Sequence, residues 1–292
     1  MEQLETWITD NKIPIGLWAK EFIEWIKVYF GAIFDFISDK IGGGMDASVE
    51  WLQSAHVPPL IFIAVFAILA FLRQRDWLIT LLVVIGFLFI LNLNLWDEMI
   101  ATLLLVVYST LLSLAIGIPI GIICARRPWL YSLVAPVLDL IQTLPSFVYL
   151  VPALALFGLG MVPAVVATFL FAIAAPVRLT YLGISQVPVA LVEAGESFGS
   201  TRWQLLAKVK LPAAMPTIMA GVTQTIMLSL SMVVIAALVG APGLGVPVVR
   251  ALAQANVALG FEGGLAIVVL AIILDRVMKQ PKARRRQVKK QA

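Results

Sequence analysis

The sequence predicts an all-α protein built into a membrane, with about seven transmembrane helices. Three observations lead there. Of 292 residues, 61% are hydrophobic and only 13% are charged, against roughly half and about a quarter in an average soluble domain. The apolar stretches are long and do not alternate with polar residues, which selects helices over barrel strands in a solvent that offers the backbone no hydrogen-bonding partner. Finally, no charged side chain occurs between positions 140 and 177, or between 211 and 249.

Taken in order, residues 1–57 hold nine acids and four bases. The first twelve residues are polar and acidic, unlike a cleavable signal. Positions 17–37 then carry a helical period. Lys20, Glu24, Lys27, Gly31 and Asp35 share one face, and Trp18, Phe22, Trp25, Ile26, Tyr29, Ile33 and Phe36 share the other. Such an aromatic face suits a helix lying in the membrane interface, or one packed on the protein's own spans. Five charges, with Glu21 included, are too many for a lipid-exposed span. The glycines of "IGGGMD" are expected to end this helix with a flexible break.

A span needs about 20 apolar residues. Candidates are 57–72, 77–95, 99–125, 130–157, 161–181, 213–239 and 257–278. The first two form an accessory pair within 58–96, a core follows over 97–279, and 280–292 is a basic tail. Lysines and arginines orient the set, since they favour the cytoplasmic side. With the tail inside, Arg73, Arg75, Arg126, Arg127 and the 182–212 loop also fall inside. The links "NLWDE" and "GLG" fall outside without a base, as does the N-terminus; Arg250 is the one outside base after the first span.

The 182–212 loop is polar but not shapeless. Pro188 suits a first helical position. Leu191, Ala194, Gly195 and Phe198 form a stripe, and Gly199 supplies a left-handed stop. Thr201 with Gln204 has the pattern of a capping box that starts a second helix. Leu211 precedes Pro212, so this helix is expected to stop near Lys210. The result is a stiff helix–turn–helix suited to docking a partner; the alternative is an amphipathic loop helix resting on the bilayer.

Polar side chains inside the spans are few. Gln142, Thr143, Ser146 and Tyr149 surround Pro145, and Thr223, Gln224, Thr225, Ser229 and Ser231 lie in the sixth span. Such groups join helices or line a path; Gln142, Ser146, Tyr149, Gln224 and Ser229 are the candidates for a path. Asp139 and Arg178 sit toward the cytoplasmic ends of two spans, and Asp275 with Arg276 forms a helix-end anchor. "APGLGVP" reads as an irregular external loop or gate.

Several functions are excluded. A single cysteine, Cys124, and a single histidine, His56, leave no disulfide or ordinary metal cluster. "GAPGLG" lacks the lysine of a phosphate-binding loop, so no cofactor or catalytic site is expected and the chain is not an enzyme by itself. The net charge of +4 comes from the tail and points to membrane lipid rather than nucleic acid.

"EAGESFGSTRWQLLAKVKLP" resembles the cytoplasmic signature loop of ABC-importer transmembrane subunits. Glu193, Ala194, Gly199, Leu211 and Pro212 match that pattern, while Gly195 stands where alanine is usual. Glycine there should loosen the helix by up to about 1 kcal/mol. "DLIQTLPSFVYLVPALALFGLG", "LTYLGISQVP", "MPTIMAGVTQTIMLSLSMVVIAALVGAPGLG" and "IVVLAIILDR" resemble the osmoprotectant branch, the permeases for glycine betaine, proline betaine and choline, over residues 58–278. The resemblance implies a type I ABC-importer permease core in a bacterial plasma membrane. It also implies a homodimer, two copies of a separate ATP-binding subunit docked on the loop, and an extracytoplasmic solute-binding protein. An ion-coupled secondary transporter would instead place acids or histidines at mid-membrane, and the predicted span centres have none.

Overall fold

A computed structural model describes residues 14–54 and 57–279, and no strand occurs among them. The basic tail at 280–292 lies outside the described residues.

The first helix, α1 (Ile15–Gln53), runs for 39 residues, about 58 Å at the helical rise. It passes through the three glycines without the expected break. Tertiary packing is the reason. A Cβ on Gly42 would come within 3.2 Å of Val162, and one on Gly44 within 3.4 Å of the Tyr108 hydroxyl. Met45 is fully buried beside them, and Ser48 Oγ lies 3.0 Å from that hydroxyl. The glycines let α1 approach its neighbours closely, and that contact offsets a propensity cost of about 1 kcal/mol per glycine.

Earlier in α1 the aromatic face is bare. Trp18, Phe22, Trp25, Tyr29, Ile33 and Phe36 are exposed, with Phe22 and Trp25 stacked at 6.3 Å. Off that stripe, Phe34 meets Phe157 edge-on at 5.4 Å, and Lys27 Nζ donates to the Ala155 carbonyl at 3.5 Å. Within a single chain, none of the described spans covers the stripe. Replacing Trp18, Phe22 and Trp25 together with serine is expected to lower the stability of the membrane-embedded protein and to leave its topology intact. A melting temperature and uptake rate equal to the parent's would refute a membrane-facing role for the stripe.

Helices α2 (Pro59–Gln74) and α3 (Trp77–Asn92) form a hairpin. Arg75 turns it in a left-handed conformation, and Asp76 caps α3 through Leu78 N–H at 2.9 Å. Phe62, Phe66, Phe87 and Trp96 make an aromatic nest that seats the hairpin on α4 (Trp96–Arg126). Gln74 donates to the carbonyls of Arg276, Val277 and Lys279. It thereby satisfies the open C-terminal end of the last helix, α14 (Val257–Met278). Asp275 pairs with Lys279 at 2.7 Å at that same end.

The core is built on α4, α7 (Met161–Ala172), α8 (Ala174–Ser185) and α11 (Leu211–Ser231). Its helices meet at glycines. A Cβ on Gly117 would lie 2.7 Å from Pro176, and one on Gly121 2.7 Å from the Val177 carbonyl oxygen and the Thr180 Cβ. Gly183 meets Ala214 and Gly221 meets Leu179 in the same way. The Gly-x-x-x-Gly spacing of 117 and 121 is a known device for close helix approach in lipid.

Two predicted spans differ from expectation. The stretch 130–157 is not one rod but α5 (Pro128–Thr143) and α6 (Ser146–Phe157), bent by 97°. Leu144 is extended (ψ 135°) because Pro145 follows it. The stretch 213–239 stops at Ser231 and restarts as the short α12 (Val233–Ala237). Where the sequence predicts seven spans, the described residues hold four helices long and apolar enough, or five with the bent pair, plus the shorter α2 and α3. "APGLGVP" is irregular only in its first half, since α13 (Gly245–Gln254) begins inside it. Leu244 N–H donates to Thr102 Oγ1 at 2.8 Å and ties this segment to α4.

Candidate coupling loop and polar groups of the core

After α8 the chain turns at Pro188, which stands just before rather than inside α9 (Val189–Ser197). The far end of α9 closes by two bonds: Ser200 N–H to the Gly195 carbonyl at 3.2 Å, and Gly199 N–H to the Glu196 carbonyl at 2.8 Å. Gly199 sits between them at φ +75°. This double closure around a left-handed glycine satisfies carbonyls that a helix end leaves open. The next helix starts at once. Gln204 N–H donates to Thr201 Oγ1 at 3.3 Å, and Thr201 N–H donates to Gln204 Oε1 at 2.8 Å.

The second helix, α10 (Arg202–Leu205), does not stop at Lys210 as expected. A π-helical turn over Leu206–Lys210 carries it straight into α11. Leu211 N–H bonds five residues back, to the Leu206 carbonyl. A proline ring clashes with the carbonyl four residues before it; the wider turn makes room for Pro212, and Leu211 stays helical at φ −63°. The expected loosening at Gly195 is also replaced by a contact: its Cβ position is taken by Leu205 Cδ1, 2.7 Å away.

One side of this unit is anchored, the other bare. Leu205 and Leu206 are buried, with Leu206 packed among Ile184, Ala214 and Ile218. Phe198 is 90% exposed and Trp203 66%, and Val189 and Leu191 are also exposed. Glu193 and Ala194 lie on the exposed surface of α9. Large apolar side chains held out on a doubly capped turn form the kind of patch that marks an interaction site.

The five path candidates separate. Gln142 and Gln224 are exposed, and Ser146 is half-buried. Ser229 is fully buried, its hydroxyl 3.4 Å from Thr110 Oγ1, which joins α11 to α4. Tyr149 is buried near Phe171, and its hydroxyl has no partner among the described residues. Thr225 and Ser231 bond carbonyls of their own helix. Asp139 and Arg178 are not two separate anchors: they form an ion pair that bridges α5 and α8. Tyr131 and Tyr181 stack at 3.6 Å between the same two helices. Nothing local in the sequence signals that pairing.

Residues 117–287 match the family described as the binding-protein-dependent transport system inner membrane component. This chain belongs to that family. The matched region starts within α4, so α1 to α3 lie outside it, while the capped loop lies inside. Among similar permeases, the glycine betaine transport system permease protein OpuAB of Bacillus subtilis is 45% identical, over 94% of this chain and 96% of its own. The glycine betaine/carnitine transport permease protein GbuB of Listeria monocytogenes is 47% identical, over 91% and 94%. ProW of Escherichia coli, a glycine betaine/proline betaine permease, is 42% identical over 91% of this chain and 74% of its own. In fold, the permease is similar to the inward-facing MetNI methionine ABC transporter, with a TM-score of 0.55, 24% identity, and coverage of 60% of this chain and 88% of that one. The type I ABC-importer permease architecture is thus the one found.

Proposed function

We propose that this permease is the membrane-spanning subunit of an ATP-driven importer of quaternary-ammonium osmoprotectants: glycine betaine, choline or proline betaine. It works as a homodimer around one pathway. Two separate ATP-binding subunits dock on the capped loops, and an extracytoplasmic binding protein delivers the solute. ATP binding draws the ATPases together, the loops follow, and the pathway opens outward. ATP hydrolysis resides on the partner subunits.

The observation that carries this reading is the doubly capped turn that holds Phe198 in solvent and leaves Trp203, stacked under Arg126, largely exposed. A loop that only linked two spans would need neither the caps nor the exposed aromatics. The solute class rests on the names of the relatives. Uptake of labelled glycine betaine, choline, proline betaine and proline by the reconstituted complex is the test. ATP-dependent uptake of the betaines supports the reading. Uptake of another small solute would leave the importer and replace its cargo, whereas betaine uptake driven by an ion gradient without ATP would remove the importer.

In the proposed topology the loop faces the cytoplasm, and the N-terminal part of α1 rests on the outer leaflet with its aromatic stripe toward lipid. With Cys124 replaced, a cysteine at Ser200 is expected to resist a membrane-impermeant thiol reagent in intact cells and to react after lysis. Labelling before lysis would invert the assignment.

A further inference from the structure

Beside the capped loop lies a cavity of about 580 Å³ whose wall carries Arg126, Arg127, Arg202 and Lys210. Among the described residues none of these four forms an ion pair. Glu196 is the one acid in the wall, so the lining keeps a net charge of +3, from four bases less one acid. The Arg126 guanidinium is stacked 4.2 Å over the Trp203 ring, which fixes its direction. The floor is apolar and comes from membrane helices: Ile123 near the end of α4 and Ile184 near the end of α8. Trp129, two residues beyond Arg127, and Trp203 are both exposed, and tryptophan favours a headgroup boundary.

We propose that this cavity binds the phosphate headgroup of an anionic phospholipid from the cytoplasmic leaflet. The guanidinium groups of Arg126 and Arg202 hold the phosphate oxygens, Arg127 and Lys210 add charge, and the acyl chains leave along the exposed Ile123. Arginine suits a phosphate because its planar fork matches two oxygens at once. A basic pocket between helix ends at the cytoplasmic surface is the general form of such a site. The apolar floor and the tryptophans favour lipid over an acidic segment of the docked ATPase. A headgroup here would couple leaflet composition to the loop, because Arg202 begins α10 and Trp203 carries the stack.

The test is native mass spectrometry of the full-length chain released from detergent with equal phosphatidylglycerol and phosphatidylcholine. The parent is expected to retain phosphatidylglycerol about tenfold over phosphatidylcholine. The Arg126→Gln/Arg202→Gln variant should lose that preference, while Arg75→Gln/Lys208→Gln, an equal charge change outside the cavity, should keep it. Equal preference in both doubles overturns the site. So does displacement of the lipid by millimolar inorganic phosphate, which assigns the cavity to a free anion. Loss of the bound lipid when the ATPase subunits assemble assigns it to the protein partner and likewise overturns the site. Melting curves in phosphatidylcholine alone check the fold. Should the double melt early, Arg202→Gln, whose side chain makes no hydrogen bond or ion pair among the described residues, carries the same comparison with a several-fold loss. The inference uses the cytoplasmic placement of the loop and nothing about the solute. Labelling at residue 200 from outside would remove the topology, and lipid retention without selectivity would remove only this site.

Discussion

Gly199→Val is expected to cut solute uptake by about 5–30-fold while leaving the protein inserted and paired. Residue 199 has φ +75° and its Cβ position is open, with nothing within 4 Å. The penalty is therefore one of backbone conformation and not of crowding. A left-handed conformation costs an ordinary residue about 1–2 kcal/mol, and β-branching makes valine a poor occupant. Leaving that conformation breaks both bonds that close α9, so Phe198 and Trp203 lose their fixed relation. A free-energy change of this size shifts the population of the docking-ready turn by about 5–30-fold. Gly199→Asn, which tolerates the left-handed region, should keep most of the uptake. The measurement is solute-stimulated ATP hydrolysis by the assembled complex. A parental rate in Gly199→Val would refute the coupling role of the turn.

Gly121→Leu is expected to prevent stable assembly of the chain itself. Its Cβ would stand 2.7 Å from a backbone oxygen, that of Val177. A side chain can rotate away from such a contact, but a carbonyl in a helix cannot, so α4 and α8 must part. Overpacking typically costs about 1–3 kcal/mol and occasionally more, and the separation would also open the contacts of Gly117 with Pro176. Gly121→Ala should show a smaller loss. Gly264→Ala, at an open position on α14, should be neutral or slightly stabilising through better helix propensity. Membrane yield and the melting temperature of the detergent-purified chain decide it. Equal values for Gly121→Leu and the parent would show that the α4–α8 contact is not where stability resides.

Features set by nearest neighbours were legible from sequence. The apolar runs of α4, α7 with α8, and α14 are visible as runs, and the closure at Gly199 and the Thr201–Gln204 cap are local patterns. Features that depend on a distant partner were not. Three consecutive glycines read as a break until Val162 and Tyr108 are known to lie against them. Pro212 reads as a stop because a π-helical turn has no sequence signature of its own. Asp139 and Arg178 are 39 positions apart, and nothing along the chain pairs them. The bend at Pro145 is a different case. Its signal, a proline in mid-run, was present, but the polar residues around it drew the reading toward a pathway. The Gly117–Gly121 spacing was equally visible, although the helix it serves is not.

The unbroken run from Arg202 to Ser231 has a mechanical consequence. Were this helix to turn as a rigid rod about the close contact of Gly221 with Leu179, it would be a lever. From there to Trp203 the arm is about 27 Å, and to Ser229 about 12 Å, at the helical rise. Such a lever has a ratio a little above two. A stroke of about 2 Å at the exposed end arrives as about 1 Å at the buried end, with the force roughly doubled. In that motion travel is exchanged for force at the Ser229–Thr110 contact, which is already at 3.4 Å and parts with little further travel.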